Sequence, residues 1–268
     1  MPQIAFEQSN DTLQEGDSLV IKIAYQNISK YDMDSVLVLA LVRNSSLVTD
    51  TVDYKKYASL GPKDSIILTY KISTLGQAGL NRMSIRVNPN FAQPEERLDN
   101  NVLDLKYVVL KDDKSPLLDV VFDGIHILNK DIVSPKPSIL IKLKDDSRYL
   151  ALNDTSLFSI RLVYPDGRVR SIRFDNDTLQ FSPSKNLPGG DDNAATLVYK
   201  PFLKEDGEYE LIVTGKDVSS NQSGAIEYRV AFEVYNKSMI TNLLNYPNPF
   251  TTSTAFVFTL TGTELPSQ

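Results

Sequence analysis

Cysteine and tryptophan are both missing from the 268 residues. The first absence excludes disulfides, thiolate metal centres and cysteine nucleophiles together. It leaves the compartment open, because extracellular domains of about 100 residues can fold without disulfides. The second removes the largest aromatic platform a ligand can rest on. Histidine occurs once, at His126. No run of 18 or more apolar residues occurs, so membrane insertion by a helix is not expected. Residues 1 to 25 lack the basic start and apolar core of a signal peptide. The export signal of a secreted parent is therefore expected upstream. Good long helical patterns are also missing.

What is present is a moderately acidic, core-forming chain. Thirty-four acidic residues against 28 basic ones give a formal charge of -6. That balance argues against a general nucleic-acid binder, which needs a basic face. Hydrophobic residues make up 41%, enough for a buried core, and the length suits two domains with a remainder.

Short alternating runs dominate. Leu19, Ile21, Ile23 and Tyr25 alternate with Val20, Lys22 and Ala24, and Ile66, Leu68, Tyr70 and Ile72 do the same. Period two over five to eight residues reads as half-buried strands. Turn clusters separate them, such as Leu60-Gly61-Pro62-Lys63-Asp64. The spacing predicts strands near 3–8, 18–26, 35–43, 47–54, 65–73, 79–88 and 102–110, an antiparallel sandwich over residues 1–111. The charged stretch Lys111 to Pro116 breaks the pattern and reads as a linker. A second sandwich is expected over 116–236, with strands near 117–122, 124–128, 137–144, 157–164, 168–174, 178–182, 194–200, 207–216 and 225–235. The fold class is thus all-β, two tandem Ig-like antiparallel sandwiches plus a partial third segment over 240–268.

Asp206-Gly207 followed by Tyr209 and then Leu211 suggests a structural tyrosine corner, with Tyr209 turning its hydroxyl onto the preceding turn and Leu211 where antibodies place a cysteine. An ordinary strand tyrosine is the bland alternative. Near the end, Asn245-Tyr246-Pro247-Asn248-Pro249-Phe250 makes a rigid turn into the alternation Phe256, Phe258 and Leu260. One strand cannot fold alone, so residues 254–260 are expected at a sheet edge.

Two stretches resemble known families. Gly16-Asp17, Asn27, Leu60-Gly61-Pro62, Val87-Asn88-Pro89, Pro94-Glu95 and Asp99-Asn100-Asn101 resemble the CARDB module, a bacterial Ig-like domain, over residues 3 to 110. Tyr246, Pro247, Asn248, Pro249 and Phe250, with Thr254, Phe256 and Phe258 after them, resemble the start of the C-terminal sorting domain of the Bacteroidetes type IX secretion system. That resemblance implies a truncated sorting domain over 240–268. The order of parts, with residues 119–137 in the second sandwich, is similar to the C-terminal half of gingipain-related cysteine peptidases, PorU-like sortase homologues among them. Their catalytic Cys and His lie upstream, and no catalytic residue carries over. The resemblance implies a secreted or outer-surface location. It also implies an upstream domain of the same polypeptide and the type IX secretion machinery as partners.

Candidate chemistry is sparse. His126 lies in a strand-like context and reads as structural. Asp112-Asp113, Asp145-Asp146 and Asp191-Asp192 read as solvated turns, with calcium at such loops the alternative. No other cofactor is expected. Asp followed by Ser or Thr and an aliphatic residue recurs at Thr12, Ser18, Ser35, Thr51, Ser65 and Thr178. The triplet resembles the O-glycosylation acceptor of exported Bacteroidetes proteins, but turn-to-strand junctions produce it equally well. The expected function is a non-catalytic spacer or docking region of a larger secreted protein. An adhesin or carbohydrate-binding module is the alternative, with Tyr31, Tyr54 and Tyr57 as its aromatic patch.

Overall fold

The structure, a computed structural model, describes residues 3–93, 99–174, 177–185, 187, 189–190, 192–237, 240–249 and 252–260. The chain divides into two compact units, Met1–Asp112 and Asp113–Gln268. No α-helix occurs among the described residues.

Unit 1 contains β1 (Gln3–Gln8), β2 (Thr12–Gln14), β3 (Ser18–Gln26), β4 (Val36–Arg43), β5 (Thr49–Tyr57), β6 (Ser65–Ser73), β7 (Gly79–Val87) and β8 (Val102–Leu110). They form two sheets, ordered β1-β3-β6 and β2-β8-β7-β4-β5. Period-two alternation places one side of each strand inward. Leu19, Ile21, Ile23 and Tyr25 of β3 are buried, as are Val36, Val38, Ala40 and Val42 of β4. Met83 and Ile85 of β7 and Tyr107 of β8 join them in one core. A buried amide fixes one corner. Asn27 Nδ2 donates to the carbonyls of Tyr31 and Leu60, both at 2.9 Å, and its Oδ1 accepts from the Ser29 N–H at 3.0 Å.

Unit 2 contains β9 (Leu117–Phe122), β10 (Asp131–Val133), β11 (Ile139–Asp145), a 3-10 turn (Thr155–Leu157), β12 (Phe158–Val163), β13 (Val169–Ser171), β14 (Leu179–Ser182), β15 (Asn193–Tyr199), β16 (Gly207–Gly215) and β17 (Tyr228–Val234). Its sheets run β14-β15-β11-β9 and β10-β17-β16-β12-β13. Both units share one connection. The chain opens antiparallel in the first sheet, β1 on β3 and β9 on β11. It then crosses to pair parallel with a late strand of the second sheet, β2 on β8 and β10 on β17. The second core is aromatic. Phe122 meets Phe232 edge-on at 5.3 Å, and Phe232 stacks on Tyr209 at 5.8 Å.

Two readings of the sequence need correction. Residues 124–128 are not a strand but a turn, with Asp123 and Gly124 at positive φ and a single bridge from Ile125 to Phe122. The Asp-Gly pair reverses the chain, and Ile125 and Leu128 are left exposed. The strands β2 and β10 escape a periodicity reading because three residues carry no period.

Beyond β17 lies a hairpin of β18 (Ile240–Tyr246) and β19 (Ala255–Leu260).

Candidate functional site

The Tyr246–Pro249 turn joins β18 to β19. The Tyr246–Pro247 and Asn248–Pro249 bonds are both cis. Thr254 Oγ1 donates to the Pro247 carbonyl at 3.0 Å, closing the turn. Phe250 lies outside the described residues. Leu244 pairs with Val257 and Tyr246 with Ala255, with a register shift between Thr241 and Leu244. That irregularity explains why β18 is hard to read from sequence: Leu243-Leu244 breaks the alternation where the bulge sits. Among the described residues, β18 and β19 have only each other as hydrogen-bonded neighbours. Residues 254–260 therefore lie on an edge, as the turn pattern predicts.

The two faces of the hairpin are both apolar and both open. Ile240, Phe256 and Phe258 share one face, with exposures of 60%, 65% and 46%; Leu244, Tyr246 and Val257 share the other. A two-stranded sheet is marginally stable in water by itself. Exposed apolar side chains on both sides of a sheet mark surfaces of the kind that a further segment or a partner covers.

Tyr209 is the third residue of β16 and its hydroxyl reaches back to the turn before that strand. Its hydroxyl donates to the Glu205 carbonyl at 2.9 Å and accepts the Glu205 N–H at 3.2 Å. Burial, the largest influence, pushes its hydroxyl pKa up. Gly207 stands at φ +130°, and a Cβ there would lie 3.0 Å from Pro165, so the corner needs glycine. Leu211 points into the core.

The six Ser and Thr residues of the Asp-initiated triplets are scattered over both units. Thr12, Thr51, Ser65 and Thr178 are exposed, whereas Ser18 and Ser35 are half-buried. Most lie at the turn-to-strand junction itself: Thr12, Ser18 and Ser65 open β2, β3 and β6, and Ser35 and Thr178 immediately precede β4 and β14.

Tyr31, Tyr54 and Tyr57 do not form one platform. Tyr31 is on a loop, and Tyr54 and Tyr57 point to opposite faces of β5: Tyr54 stands opposite the outward Leu39 and Tyr57 opposite the inward Val36. Tyr57 instead donates to Asp53 Oδ2 at 3.4 Å, and Tyr70 donates to the same oxygen at 3.0 Å. A register shift between Ala40 and Leu41 lets Asp53 turn inward and tie β5 to β6 of the facing sheet. Burial first, then the Asp53 carboxylate, raises the Tyr70 pKa.

His126 is not in a strand; it is exposed and its Nε2 lies 2.7 Å from Asp119 Oδ1. Asp145 differs from a solvated turn residue: it is 3% exposed at the end of β11, while Asp146 is exposed. Asp217 is 1% exposed and lies with its carboxylate within 4.8 Å of that of Asp145. Both Asp217 oxygens accept from Asn221, from its N–H and its Nδ2, each at 2.7 Å. Two carboxylates are an oxygen donor set of the kind calcium takes, but well short of its six to eight oxygens. Asp191 lies outside the described residues.

No protein-family model matches the chain, and no curated protein does. Among solved structures, it is similar to the CARDB domain of a Pyrococcus furiosus protein crystallised in complex with di-metal ions, with 18% identity and a TM-score of 0.36 over 42% of this chain and 94% of that one. The solution NMR structure of the same CARDB domain shows 21% identity and a TM-score of 0.33, over 41% and 96%. Dimeric latent PorU from Porphyromonas gingivalis shows 10% identity and a TM-score of 0.32, over 97% of this chain. The chain spans 26% of that PorU chain.

Proposed function

We propose that this chain is a non-catalytic structural region of a larger secreted or cell-surface protein, in which two closed sandwiches act as spacer and docking parts. The observation that carries the reading is the hairpin β18–β19, which exposes apolar side chains on both faces and has no other strand beside it among the described residues. Such a hairpin calls for further strands to form a folded sheet. The residues Tyr246, Pro247, Asn248 and Pro249 that shape its turn are those that resemble the opening of a type IX sorting domain. In this reading the hairpin starts that domain and the parent is a peptidase-like export substrate or sortase homologue of the Bacteroidetes. The sandwiches contribute defined length and shape.

The parent reading frame tests it. A frame that encodes an upstream Cys/His peptidase domain, and strands that continue the sheet after β19, supports the reading. A frame confined to these residues sinks it. Amide exchange gives a second check, with β18–β19 exchanging far faster than β16 in this chain.

A further inference from the structure

The outward face of the five-stranded sheet of unit 1 carries an unusual arrangement of charge. Arg43 of β4 stands directly opposite Arg82 of β7, and Arg82 stands directly opposite Lys106 of β8. Their neighbours Val42, Met83 and Leu105 are buried, so all three basic side chains point outward, and all three are exposed. Adjacent strands lie about 4.8 Å apart, so three like charges fall in one row about 10 Å long. Like charges directly opposite each other destabilise a sheet. None of the three has a hydrogen-bond or ion-pair partner among the described residues.

Elsewhere most such charges are matched, although Glu208 stands opposite Glu233 in unit 2. On the facing sheet of unit 1, Lys22 stands opposite Glu7. In unit 2, Lys142 stands opposite Asp119, Arg161 pairs with Glu227, and Arg229 bonds both Glu227 and Glu210. In a chain with a net charge of -6, three cations in one cross-strand row stand out, with Asp104 the acid in the adjacent row.

The same face continues toward a groove. Tyr54 and Arg86 flank Leu39 in one cross-strand row, and Lys56 stands beside Leu37 in the next. A groove of about 380 Å³ opens there, lined by Ser35, Tyr54, Lys56, Asn88 and Asn90 among others. Tyr54 is 68% exposed. Asn88 spends its amide on Gln93, donating at 2.8 Å and accepting at 3.1 Å. What remains is a bare ring, an ammonium, a hydroxyl and an amide, a set rich in donors. From Leu37 to Arg43 along β4 is about 20 Å at the rise of a strand.

We propose that this face binds an acidic polysaccharide carrying carboxylates, with one sugar ring on Tyr54 and successive carboxylates on Lys56, Arg86 and the Arg43–Arg82–Lys106 row. A sugar chain fits both parts: its rings stack on an exposed aromatic face, and its charges repeat along a flexible strand. A nucleic acid fits less well, because the cationic row is flanked by Leu41, Ser84 and Asp104 on one side and Leu80 on the other, with no ring beside it on which bases stack. This site stands apart from the spacer reading and does not depend on it.

The test is titration of the whole chain with polygalacturonate at low and at high salt, beside neutral dextran and a single-stranded oligonucleotide of matched charge. Polygalacturonate binds at low salt, and binding weakens as salt rises. The triple variant R43Q/R82Q/K106Q keeps its circular dichroism and binds about tenfold more weakly. Tyr54→Ala lowers affinity by roughly threefold or more through loss of the ring. No binding at low salt overturns the proposal. So does undiminished binding by the triple variant, or equal binding of dextran or of the oligonucleotide.

Discussion

The Tyr209 hydroxyl and the Glu205 backbone hold each other twice, the hydroxyl donating to the carbonyl at 2.9 Å and accepting the N–H at 3.2 Å. One side chain thereby fixes the turn that launches β16, and its ring sits between Tyr164 and Phe232. Tyr209→Phe keeps the ring and removes both bonds. The expected loss is about 1–3 kcal/mol of stability. Urea unfolding followed by circular dichroism checks it, and an unchanged midpoint would show that the corner contributes nothing.

Asn27 does comparable work in unit 1 with three bonds to the backbone. Asn27→Ala leaves the Leu60 and Tyr31 carbonyls and the Ser29 N–H to find water or stay unpaired. Its expected cost is also about 1–3 kcal/mol. Asn27→Asp should cost a similar amount, because a carboxylate accepts but cannot donate to those carbonyls.

The row Arg43–Arg82–Lys106 makes an opposite prediction. Arg82→Glu places an acid between two bases and turns repulsion into attraction. At low salt the variant should be more stable by about 0.2–1 kcal/mol, and the gain should shrink as salt rises. Thermal melts at two ionic strengths measure it. A variant less stable than the parent at low salt contradicts the unpaired-charge reading.

Alkaline pH should weaken the fold through buried tyrosines. Burial pushes the Tyr107 and Tyr199 hydroxyls up to about 12, against about 10 in an unfolded chain. Below about pH 10 both are neutral in either state and their full contribution is present. Between about 10 and 12 the unfolded chain loses its protons first, so stability falls as pH rises and the contribution is gone above that window. Each ring accounts for at most roughly 2–3 kcal/mol over the window, and for less once solvent screening is counted. Urea midpoints taken across it should drop steadily, and Tyr107→Phe should flatten part of the drop.

Glycans, where the parent's host attaches them, should favour Thr12, Thr51, Ser65 and Thr178 over the half-buried Ser18 and Ser35. Intact mass and peptide mapping of host-made protein decide it, and a mass equal to the bare polypeptide removes the idea.

Strand alternation was legible where one face is core and the other water. The period-two runs of β3 and β6 mark their buried residues directly, because burial and spacing agree there. Where that agreement fails, so does the reading. Ile125, Ile127 and Leu128 look like a strand, yet Asp123-Gly124 turns the backbone first. In β18 a bulge hides the period. Asp145-Asp146 reads as a solvated pair, but the strand alternation of β11 sends Asp145 inward, where it meets Asp217 from 72 residues further along the chain. The row on the outward face was also invisible, since Arg43, Arg82 and Lys106 become neighbours only through pairing register.

The parallel pairs that open each sandwich, β2 on β8 and β10 on β17, have a mechanical meaning. Tension that reaches β2 from the front of the chain and β8 from behind pulls two parallel strands in opposite directions along their length. The bonds from the Glu15 N–H to the Leu110 carbonyl and from the Val108 N–H to the Asp11 carbonyl are then strained in shear, side by side, instead of peeling one at a time. The same holds for the three residue pairs of β10 and β17. Once β1 and β9, which come first in the chain, have peeled from their neighbours, each unit therefore meets a pull with bonds loaded together instead of in turn.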